Sequence, residues 1–212
     1  MAGCGKTYLL SQLSDRGEQI LDLEGLAKEK DLIFGGLHNE DQPSQSYFES
    51  LIAKQFSSFD NNRIVWIETK NIRIGKLCVP QELFKKMCTS DCYIINLPMQ
   101  ERVNHIIRRY KYFTEDFEEL QSRLTLLPKY HPSRKISEWI SLAEKGQWQE
   151  FVEELLVNRS DPIYTRSQTR HNHGEKTSVV DLDDLSSESV HRCLKNMIEE
   201  SRASVSEAIS NE

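Results

Sequence analysis

Gly3-Cys4-Gly5-Lys6-Thr7 begins at the third residue of the chain and leads into a run with helical periodicity, Thr7–Arg16. The pattern Gly-x-Gly-Lys-Thr is the second half of a phosphate-binding loop, in which backbone N–H groups at a helix N-terminus hold phosphate oxygens. In such a loop Lys6 reaches the outer phosphates and the hydroxyl of Thr7 binds Mg²⁺. We therefore predict that the whole run binds a phosphate-bearing cofactor and that Thr7 is a metal ligand.

A complete loop of this kind has a further glycine five residues before Gly5, and it follows a buried strand. Only Met1 and Ala2 precede Gly3. We therefore expect a parallel sheet that lacks a complete first strand, which leaves two neighbouring strands with unpaired backbone groups. The alternative is a glycine-rich helix start next to a chance Lys-Thr pair.

Around this loop, short apolar runs alternate with longer amphipathic stretches, which is the pattern of an α/β fold with a parallel sheet. Strands are predicted at Gln19–Leu23, Arg63–Glu68, Asp91–Leu97 and Ser178–Leu182. The continuous apolar core of Arg63–Glu68 is typical of a strand buried on both faces. Helical spacing between about residues 100 and 160 predicts a helical insertion. We assign residues 1–167 to one domain and residues 168–212 to an acidic C-terminal segment with a last strand and helix.

Composition and charge describe an ordinary globular chain of 212 residues, 38% hydrophobic and 28% charged, with a net charge of -6. This excludes a disordered or collagen-like protein and allows one large domain with a small appendage. After residue 170 nine acidic residues outnumber four basic ones, whereas residues 101–135 hold eight basic and five acidic residues. We therefore expect any nucleic-acid surface within residues 101–135.

Five cysteines at scattered positions indicate a reducing compartment and no disulfide framework. The close pair Cys88 and Cys92 is weak evidence for zinc. No apolar run approaches the roughly 20 residues that a membrane-spanning helix needs, and no secretory leader opens the chain. We therefore expect a cytoplasmic protein without a membrane anchor.

Beyond the loop, short motifs follow one another in the order and at the spacing of one family: Asp22-Leu-Glu-Gly-Leu-Ala27, Gln42-Pro-Ser-Gln45, Ile67-Glu68, Ile74-Gly75, Arg102 with Tyr110, Trp148-Gln-Glu-Phe151 and Asp161-Pro-Ile-Tyr164. On these motifs the chain resembles the P-loop domain of tRNA 2-selenouridine synthase over about residues 3–167. That enzyme replaces sulfur by selenium in 2-thiouridine at the tRNA wobble position.

The resemblance implies a P-loop NTPase- or kinase-like fold, a tRNA substrate and a diphosphate-bearing ligand at Lys6 and Thr7. In the family, selenophosphate is the selenium donor, and the exchange passes through a geranylated thiouridine made from geranyl diphosphate. Loss of that diphosphate requires its growing charge to be held by N–H groups, lysine and metal. Mg²⁺ and these two co-substrates are therefore expected, and the use of ATP or GTP is left open.

Two carboxylates are assigned to catalysis. Glu68 ends a predicted strand, and we expect it to position water or a metal ion. Asp22 and Glu24 lie at the end of the short strand Gln19–Leu23, on the side that faces the phosphate site in many P-loop folds. We assign Glu24 to catalysis and Asp22 to cofactor binding. The alternative for Glu24 is a charge that stabilises a helix N-terminus through the helix dipole.

Substrate binding is assigned to Arg102, Arg109 and Tyr110, and to the motif residues Gln42 and Gln45. The two arginines are expected to contact tRNA phosphates, and Tyr110 is expected to stack on a base. The alternative is an amphipathic helix with a solvated basic face and an aromatic core stripe.

Departures from the family pattern bear on activity. The rhodanese-like domain with its catalytic cysteine, which full-length members carry, has no counterpart here, and no cysteine of this chain is assigned as a nucleophile. The family's Glu-Asp-Glu-Ser reads Glu68-Thr-Lys-Asn71, so Lys70 replaces a carboxylate. The family's His-Arg pair is absent from Glu29–Leu32, although Lys28 and Lys30 supply positive charge nearby.

Three functions stay open at this stage. The first is a partial or divergent P-loop part of a selenouridine synthase-like transferase, which acts with a rhodanese-domain protein in trans. The second is a catalytically silent scaffold that binds tRNA or a nucleotide. The third is an unrelated nucleotide kinase or hydrolase, which the motifs Gln42-Pro-Ser-Gln45 and Asp161-Pro-Ile-Tyr164 argue against because generic kinases do not need them.

Overall fold

The structure is a computed structural model that describes residues 1–29, 41–68, 71–125, 127, 131–162, 164–165 and 176–210. Its helices are α1 (Lys6–Asp15), α2 (Leu23–Leu26), α3 (Gln45–Phe56), α4 (Gln81–Cys88), α5 (Met99–Arg109), α6 (Lys111–Glu115), α7 (Phe117–Thr125), α8 (Ser133–Glu144), α9 (Trp148–Leu155) and α10 (Ser187–Ser210). Its strands are β1 (Gln19–Leu21), β2 (Val65–Ile67), β3 (Arg73–Ile74), β4 (Leu77–Cys78), β5 (Cys92–Asn96) and β6 (Thr177–Asp181).

Beyond α9 the chain stays helical for two more turns. Leu156–Ser160 forms a π-helical turn. Residues 161–162 and 164–165 are also helical, and we call these four residues the end turn. The end turn carries Asp161 and Tyr164, two residues of one motif noted in the sequence, and it lies beside the N-terminal loop.

The strands pair in the parallel sense that the sequence pattern predicts. Strand β1 pairs with β2, with Gln19 opposite Val65, and β5 pairs with β6, with Cys92 opposite Thr177. The four predicted strands are present, so the α/β class is confirmed. An antiparallel hairpin, β3–β4, was not predicted, because its strands are only two residues long and show no alternation.

In the described part of the chain the six strands form three separate two-stranded sheets. The prediction that Arg63–Glu68 is buried on both faces is wrong, because all three residues of β2 are only half-buried. Burial on both faces requires a wide sheet covered by helices, and β2 has a single strand beside it. The two parallel pairs approach through side chains: the rings of Trp66 and Tyr93 lie 5.6 Å apart between centroids.

Three clusters of buried side chains hold these elements together. One lies between α1, β5 and α10, and it includes Leu13, Ile95 and Leu194. A second lies between β1, α3 and the β3–β4 hairpin. The third fills the helical stretch from α5 to α9 around the fully buried Trp139. Because β6 and α10 contribute to the first cluster, the described part of the acidic C-terminal segment packs into the same fold as the N-terminal loop.

The predicted boundary at residues 167/168 lies outside the described residues. Lys70, which replaces a family carboxylate, and Lys30 lie outside them as well.

Candidate functional site

The backbone of the N-terminal loop is left-handed at both of its glycines. Gly3 and Gly5 have φ angles of 74° and 70°, in the left-handed region that favours glycine. A Cβ atom on Gly3 would lie 2.7 Å from Ile106 Cδ1, and one on Gly5 would lie 2.9 Å from Leu185 Cδ1. Any other residue at either position would therefore be strained and would also crowd α5 or the segment before α10.

Helix α1 begins at this loop without a cap. Gly5 occupies the N-cap position, no side chain of the described residues caps the first turn, and the first turn contains no acidic residue. The first N–H groups of a helix have no partner inside the helix, and they carry the positive end of its dipole. A lysine, Lys6, stands in the same turn. The loop therefore presents several donors and a cation where a bound anion would be stabilised.

The side chain of Lys6 is surrounded on three sides and is 17% exposed. Its Nζ donates to the carbonyl oxygen of Met1 at 3.3 Å and lies 3.6 Å from Glu68 Oε1. The ring centroid of Tyr164 lies 5.6 Å from the same Nζ, within the range of a cation–π interaction. The ammonium group is thus held in one position by three parts of the chain.

Burial alone would lower the pKa of Lys6, because it disfavours the charged form. The charge of Glu68 acts in the opposite direction, with smaller contributions from neighbours that include Tyr164. Together these neighbours outweigh burial, so the pKa of Lys6 is raised above its usual value. Lys6 therefore stays a cation at neutral pH.

Glu68 follows the last residue of β2, and its side chain is only 5% exposed. Its Oε2 atom is buried and has no hydrogen-bond partner among the described residues. A buried carboxylate oxygen without a partner is costly, and it marks a place where water or a cation fits. Thr7, half-buried in the first turn of α1, is the second oxygen donor that the sequence assigns to Mg²⁺. Both residues carry oxygen donors of the kind that Mg²⁺ binds. No cluster of three or more His, Cys, Asp or Glu side chains suited to a metal occurs in the described chain.

Glu24 and Asp22 lie at the start of α2, but they play different parts. Asp22 is its N-cap, since Oδ1 accepts a hydrogen bond from the N–H of Gly25 at 2.8 Å. Glu24 is buried and stands in the first turn, where its charge contributes to the raised pKa of Lys6. Glu24 therefore belongs to the neighbourhood of the loop, whereas the carboxylate of Asp22 is engaged with the backbone of its own helix.

Arg102 is not at the surface, contrary to what a direct contact with tRNA phosphate requires. Its side chain is 3% exposed, and Nη2 lies 2.5 Å from Asp161 Oδ1. Its Nε donates to the carbonyl oxygen of Ala2 at 2.8 Å. Arg102 lies on α5 beside Val103 and one turn before Ile106, which are both buried in the helical core. It serves as a link between the loop and the end turn.

The two glutamines assigned to substrate bind the β3–β4 hairpin instead. Gln42 Nε2 donates to the carbonyl oxygens of Ala27 and Ile74, at 3.2 and 3.1 Å, and its Oε1 accepts from the N–H of Lys76 at 2.6 Å. Gln45 pairs with both backbone groups of Cys78, at 2.8 and 2.9 Å. We call these contacts the glutamine clamp. Its amide groups are occupied within the chain, so the substrate-binding assignment of Gln42 and Gln45 has no support in their geometry.

Arg109 and Tyr110 stand where α5 ends. Arg109 is exposed, in the last turn of the helix, where a cation complements the dipole. Tyr110 is half-buried against the helical core, and its ring packs edge-to-face on Tyr112 at 6.1 Å. Burial raises the pKa of Tyr110, although the charge of Arg109 opposes the shift. The side chain of Arg109 is therefore accessible to a ligand. Tyr110 packs against the helical core and keeps part of its ring exposed.

Two residues near Lys6 were not singled out from the sequence. Tyr164 lies beside Lys6, and burial raises the pKa of its hydroxyl although the charge of Lys6 opposes this. His105 is half-buried on α5, one turn beyond Arg102. Burial, together with the charges of Arg109, Arg108 and Lys6, lowers the pKa of His105 to about 4. Tyr164 had a signal in the motif Asp161-Pro-Ile-Tyr164, whereas a single histidine within a helix carries no signal of its own.

A glycine-rich loop that opens an uncapped helix next to parallel strands defines a P-loop α/β domain. The sequence profile of the tRNA 2-selenouridine synthase AAA domain matches residues 1–125. The chain therefore belongs to the tRNA 2-selenouridine synthase family, as the resemblance predicts.

Individual relatives carry the same name. A tRNA 2-selenouridine synthase of Aeromonas salmonicida is 31% identical over 112 residues, which are 52% of this chain and 29% of that protein. One of Nitrosomonas europaea is 31% identical over 111 residues, 51% of this chain and 28% of that protein. One of Hydrogenovibrio crunogenus is 34% identical over 104 residues, 48% of this chain and 27% of that protein.

The matches thus cover less than a third of the length of these relatives. No solved structure matches the chain. Across the part of the chain that the structure describes, every helix is too short or too polar to cross a membrane.

Proposed function

We propose that this chain is the phosphate-binding part of an enzyme that modifies the tRNA wobble uridine, converting 2-thiouridine to 2-selenouridine through a geranylated intermediate. The observation that carries the proposal is the uncapped start of α1, with Lys6 in its first turn and the buried Glu68 beside it. Family membership suggests the reaction, because the matched relatives are named tRNA 2-selenouridine synthase.

The ligand proposed for the loop is the diphosphate of geranyl diphosphate. When the geranyl carbon leaves the diphosphate oxygen and bonds to the thiouridine sulfur, negative charge grows on the departing diphosphate. The N–H groups of the first turn and the ammonium of Lys6 stabilise that charge. Mg²⁺, held by Thr7 with Glu68 nearby, would add positive charge when it is bound. The charge of the buried Glu24 adds a small contribution to the raised pKa of Lys6, which is mainly due to Glu68.

Selenium exchange is the second half of the proposed reaction. Selenophosphate supplies the selenium, and a rhodanese-type domain acts in trans. Both partners are proposals from the family resemblance, as is the cytoplasmic location where tRNA and these substrates meet.

The proposed tRNA surface is the end of α5 and the start of α6. Arg108, Arg109 and Lys111 are all exposed there, at the C-terminal end of the helix whose Arg102 contacts the loop. Exposed cations of this kind contact phosphates and make binding sensitive to salt. Tyr110, with its partly exposed ring, offers a face for stacking on an unpaired base.

We also propose that a parallel strand fits between β2 and β5, where the sequence predicts an incomplete first strand. Each of these strands pairs with only one described neighbour. The indole Nε1 of Trp66, which lies at this place, is buried without a hydrogen-bond partner among the described residues. Hydrogen exchange of the β2 and β5 amides tests this proposal: fast exchange along the facing edges is expected, and full protection would contradict it.

The alternative is a scaffold that binds tRNA or a nucleotide, including ATP or GTP, without turnover. The sequence observation that favours it is the replacement of a family carboxylate by Lys70. The same assay separates the two functions, because a scaffold binds tRNA but transfers nothing.

The decisive experiment incubates the purified chain with geranyl diphosphate, Mg²⁺ and tRNA that contains 2-thiouridine, and it follows the geranylated nucleoside by mass spectrometry. Transfer that is lost in Lys6→Ala and kept in Lys85→Ala is expected. Lys85 is a matched control, because it is an exposed helical lysine paired only with Glu82 in the described chain.

Binding of tRNA with no transfer would favour the scaffold. Equal transfer by the Lys6→Ala variant would remove the loop from the reaction and contradict the proposal.

A further inference from the structure

The loop is tied to a distant part of the chain. Arg102 bridges the carbonyl oxygen of Ala2, the residue just before Gly3, and the carboxylate of Asp161 in the end turn. Three residues after Asp161, the ring of Tyr164 lies against the ammonium of Lys6. The end turn therefore reaches both ends of the loop, Ala2 through Arg102 and Lys6 through Tyr164.

These contacts restrain the backbone of the N-terminal loop, which its two glycines leave free to adopt many conformations. Glycine has the widest choice of backbone conformations, and Gly3 and Gly5 both use left-handed ones. A fixed carbonyl at Ala2 limits the rotations open to the loop at its start. The aromatic ring limits the positions of the Lys6 side chain at its end. A flexible lysine loses side-chain entropy when it binds a ligand, so a lysine held in advance binds more tightly.

We infer that Arg102, Asp161 and Tyr164 are positioning residues that hold the loop and Lys6 ready for an anionic ligand. Tyr164 orients the ammonium group through its ring. The buried Arg102, paired with the half-buried Asp161, fixes the backbone before Gly3. The helical stretch from α5 to the end turn thereby controls the geometry of the phosphate site. The inference rests on the proposed phosphate site, and it assigns these residues no contact with the reacting atoms.

The test for Tyr164 compares Tyr164→Leu, which removes the ring, with Tyr164→Phe, which keeps it. Two quantities are measured: the pKa of Lys6 in the protein without ligand, by NMR of its side-chain nitrogen, and the affinity for inorganic pyrophosphate. In Tyr164→Leu we expect a lower pKa of Lys6 and pyrophosphate binding that is weaker by about threefold or more. Tyr164→Phe is expected to bind pyrophosphate as the wild type does, with a pKa of Lys6 between those of the wild type and Tyr164→Leu, because the hydroxyl also contributes to this pKa.

The matched control is Tyr47→Leu on α3, where the tyrosine is 59% exposed, and it should change neither quantity. If the pKa of Lys6 is the same in Tyr164→Leu as in the wild type, the positioning role of Tyr164 is wrong. Because this pKa is measured without ligand, it decides the inference even if the wild type binds no pyrophosphate, a result that would count against the proposed function alone.

The test for the pair of Arg102 with Asp161 is the double variant Arg102→Met/Asp161→Leu. Removing Asp161 alone would leave the buried charge of Arg102 without a partner, whereas replacing both residues by apolar ones is often tolerated. Faster hydrogen exchange at the Gly3–Lys6 amides and weaker pyrophosphate binding are expected. Arg102→Lys keeps one donor and provides a rescue. Its exchange rates at the Gly3–Lys6 amides and its pyrophosphate affinity should lie between those of the double variant and the wild type. Unchanged exchange at these amides in a folded double variant would overturn this part of the inference.

Discussion

The N-terminal loop and the glutamine clamp both carry polar motif residues, yet the two regions differ in what their polar groups contact. In the clamp, the side-chain amides of Gln42 and Gln45 bond to backbone groups of the hairpin and of α2. In the loop, the first turn of α1 lacks a cap, and Glu68 keeps a buried oxygen without a described partner. Polar groups without hydrogen-bond partners in the fold indicate a ligand site, whereas polar groups whose partners lie within the chain indicate a structural contact.

The largest effect that separates the regions is expected from Lys6→Ala. A lysine that donates to a phosphate oxygen contributes about 1.5–3 kcal/mol, so pyrophosphate affinity should fall about 10- to 100-fold. The unfolding free energy should fall as well, because the variant leaves the carboxylate of Glu68 buried without its ion-pair partner. Isothermal titration and thermal unfolding measure the two quantities. A large loss of stability with unchanged pyrophosphate affinity would mean that Lys6 has a structural role, as the residues of the glutamine clamp do.

Gln42→Ala is expected to show the opposite pattern. It leaves the carbonyl groups of Ala27 and Ile74 and the N–H of Lys76 without their partner, which costs about 2 kcal/mol of unfolding free energy. Pyrophosphate affinity should stay within about twofold of the wild type. Urea denaturation provides the first number, and Gln121→Ala on the exposed side of α7 is the control. Lost affinity in a stable Gln42→Ala variant would restore the substrate-binding assignment.

Lowering the pH should reduce the unfolding free energy through His105, a residue of α5 near Lys6. The pKa of His105 is lowered to about 4 in the folded protein, below the usual value near 6.5. The unfolded chain therefore binds a proton first as the pH falls, so this stabilising contribution is complete above about pH 6.5 and is lost between about pH 6.5 and 4. Its full size is about 1–3 kcal/mol. In His105→Gln the decline of unfolding free energy over this window should be smaller, as measured by urea denaturation at several pH values, and an equal decline would contradict the assignment.

The smallest effect concerns Asp22, which the sequence assigned to the cofactor and the structure places at a helix N-cap. Asp22→Ala should cost about 1 kcal/mol of unfolding free energy, whereas Asp22→Asn keeps a capping oxygen and should cost little. Neither variant should change pyrophosphate affinity. If both weaken binding alike, the charge of Asp22 acts on the ligand, and the cofactor assignment is right.

Local signals were enough to predict the elements around the loop. The run from Gly3 to Thr7 predicts a loop and a helix, and the apolar runs predict β1, β2, β5 and β6, because these signals depend on neighbours in sequence. The half-burial of β2 was not predictable in the same way. It depends on which strands lie beside Val65–Ile67, and the apolar run contains no information about them.

Long-range contacts account for most of what the sequence did not predict about the site. Tyr164 meets Lys6 across more than 150 residues of chain, and Arg102 meets Ala2 across 100. The motifs include Arg102, Gln42 and Gln45, and each of these side chains makes specific polar contacts in the structure. They could not distinguish a residue that binds a ligand from one that binds the chain's own backbone, because both uses require a polar side chain at a fixed place.

Cys4 stands between the two left-handed glycines and is fully buried, whereas Cys78, Cys88 and Cys92 are half-buried. An alkylating reagent reaches a buried thiol only when the surrounding segment opens. The rate at which Cys4 is alkylated therefore reports how often the loop opens, without any added label or substitution. A ligand that closes the loop would slow this one reaction and leave the other four thiols, Cys78, Cys88, Cys92 and Cys193, unaffected.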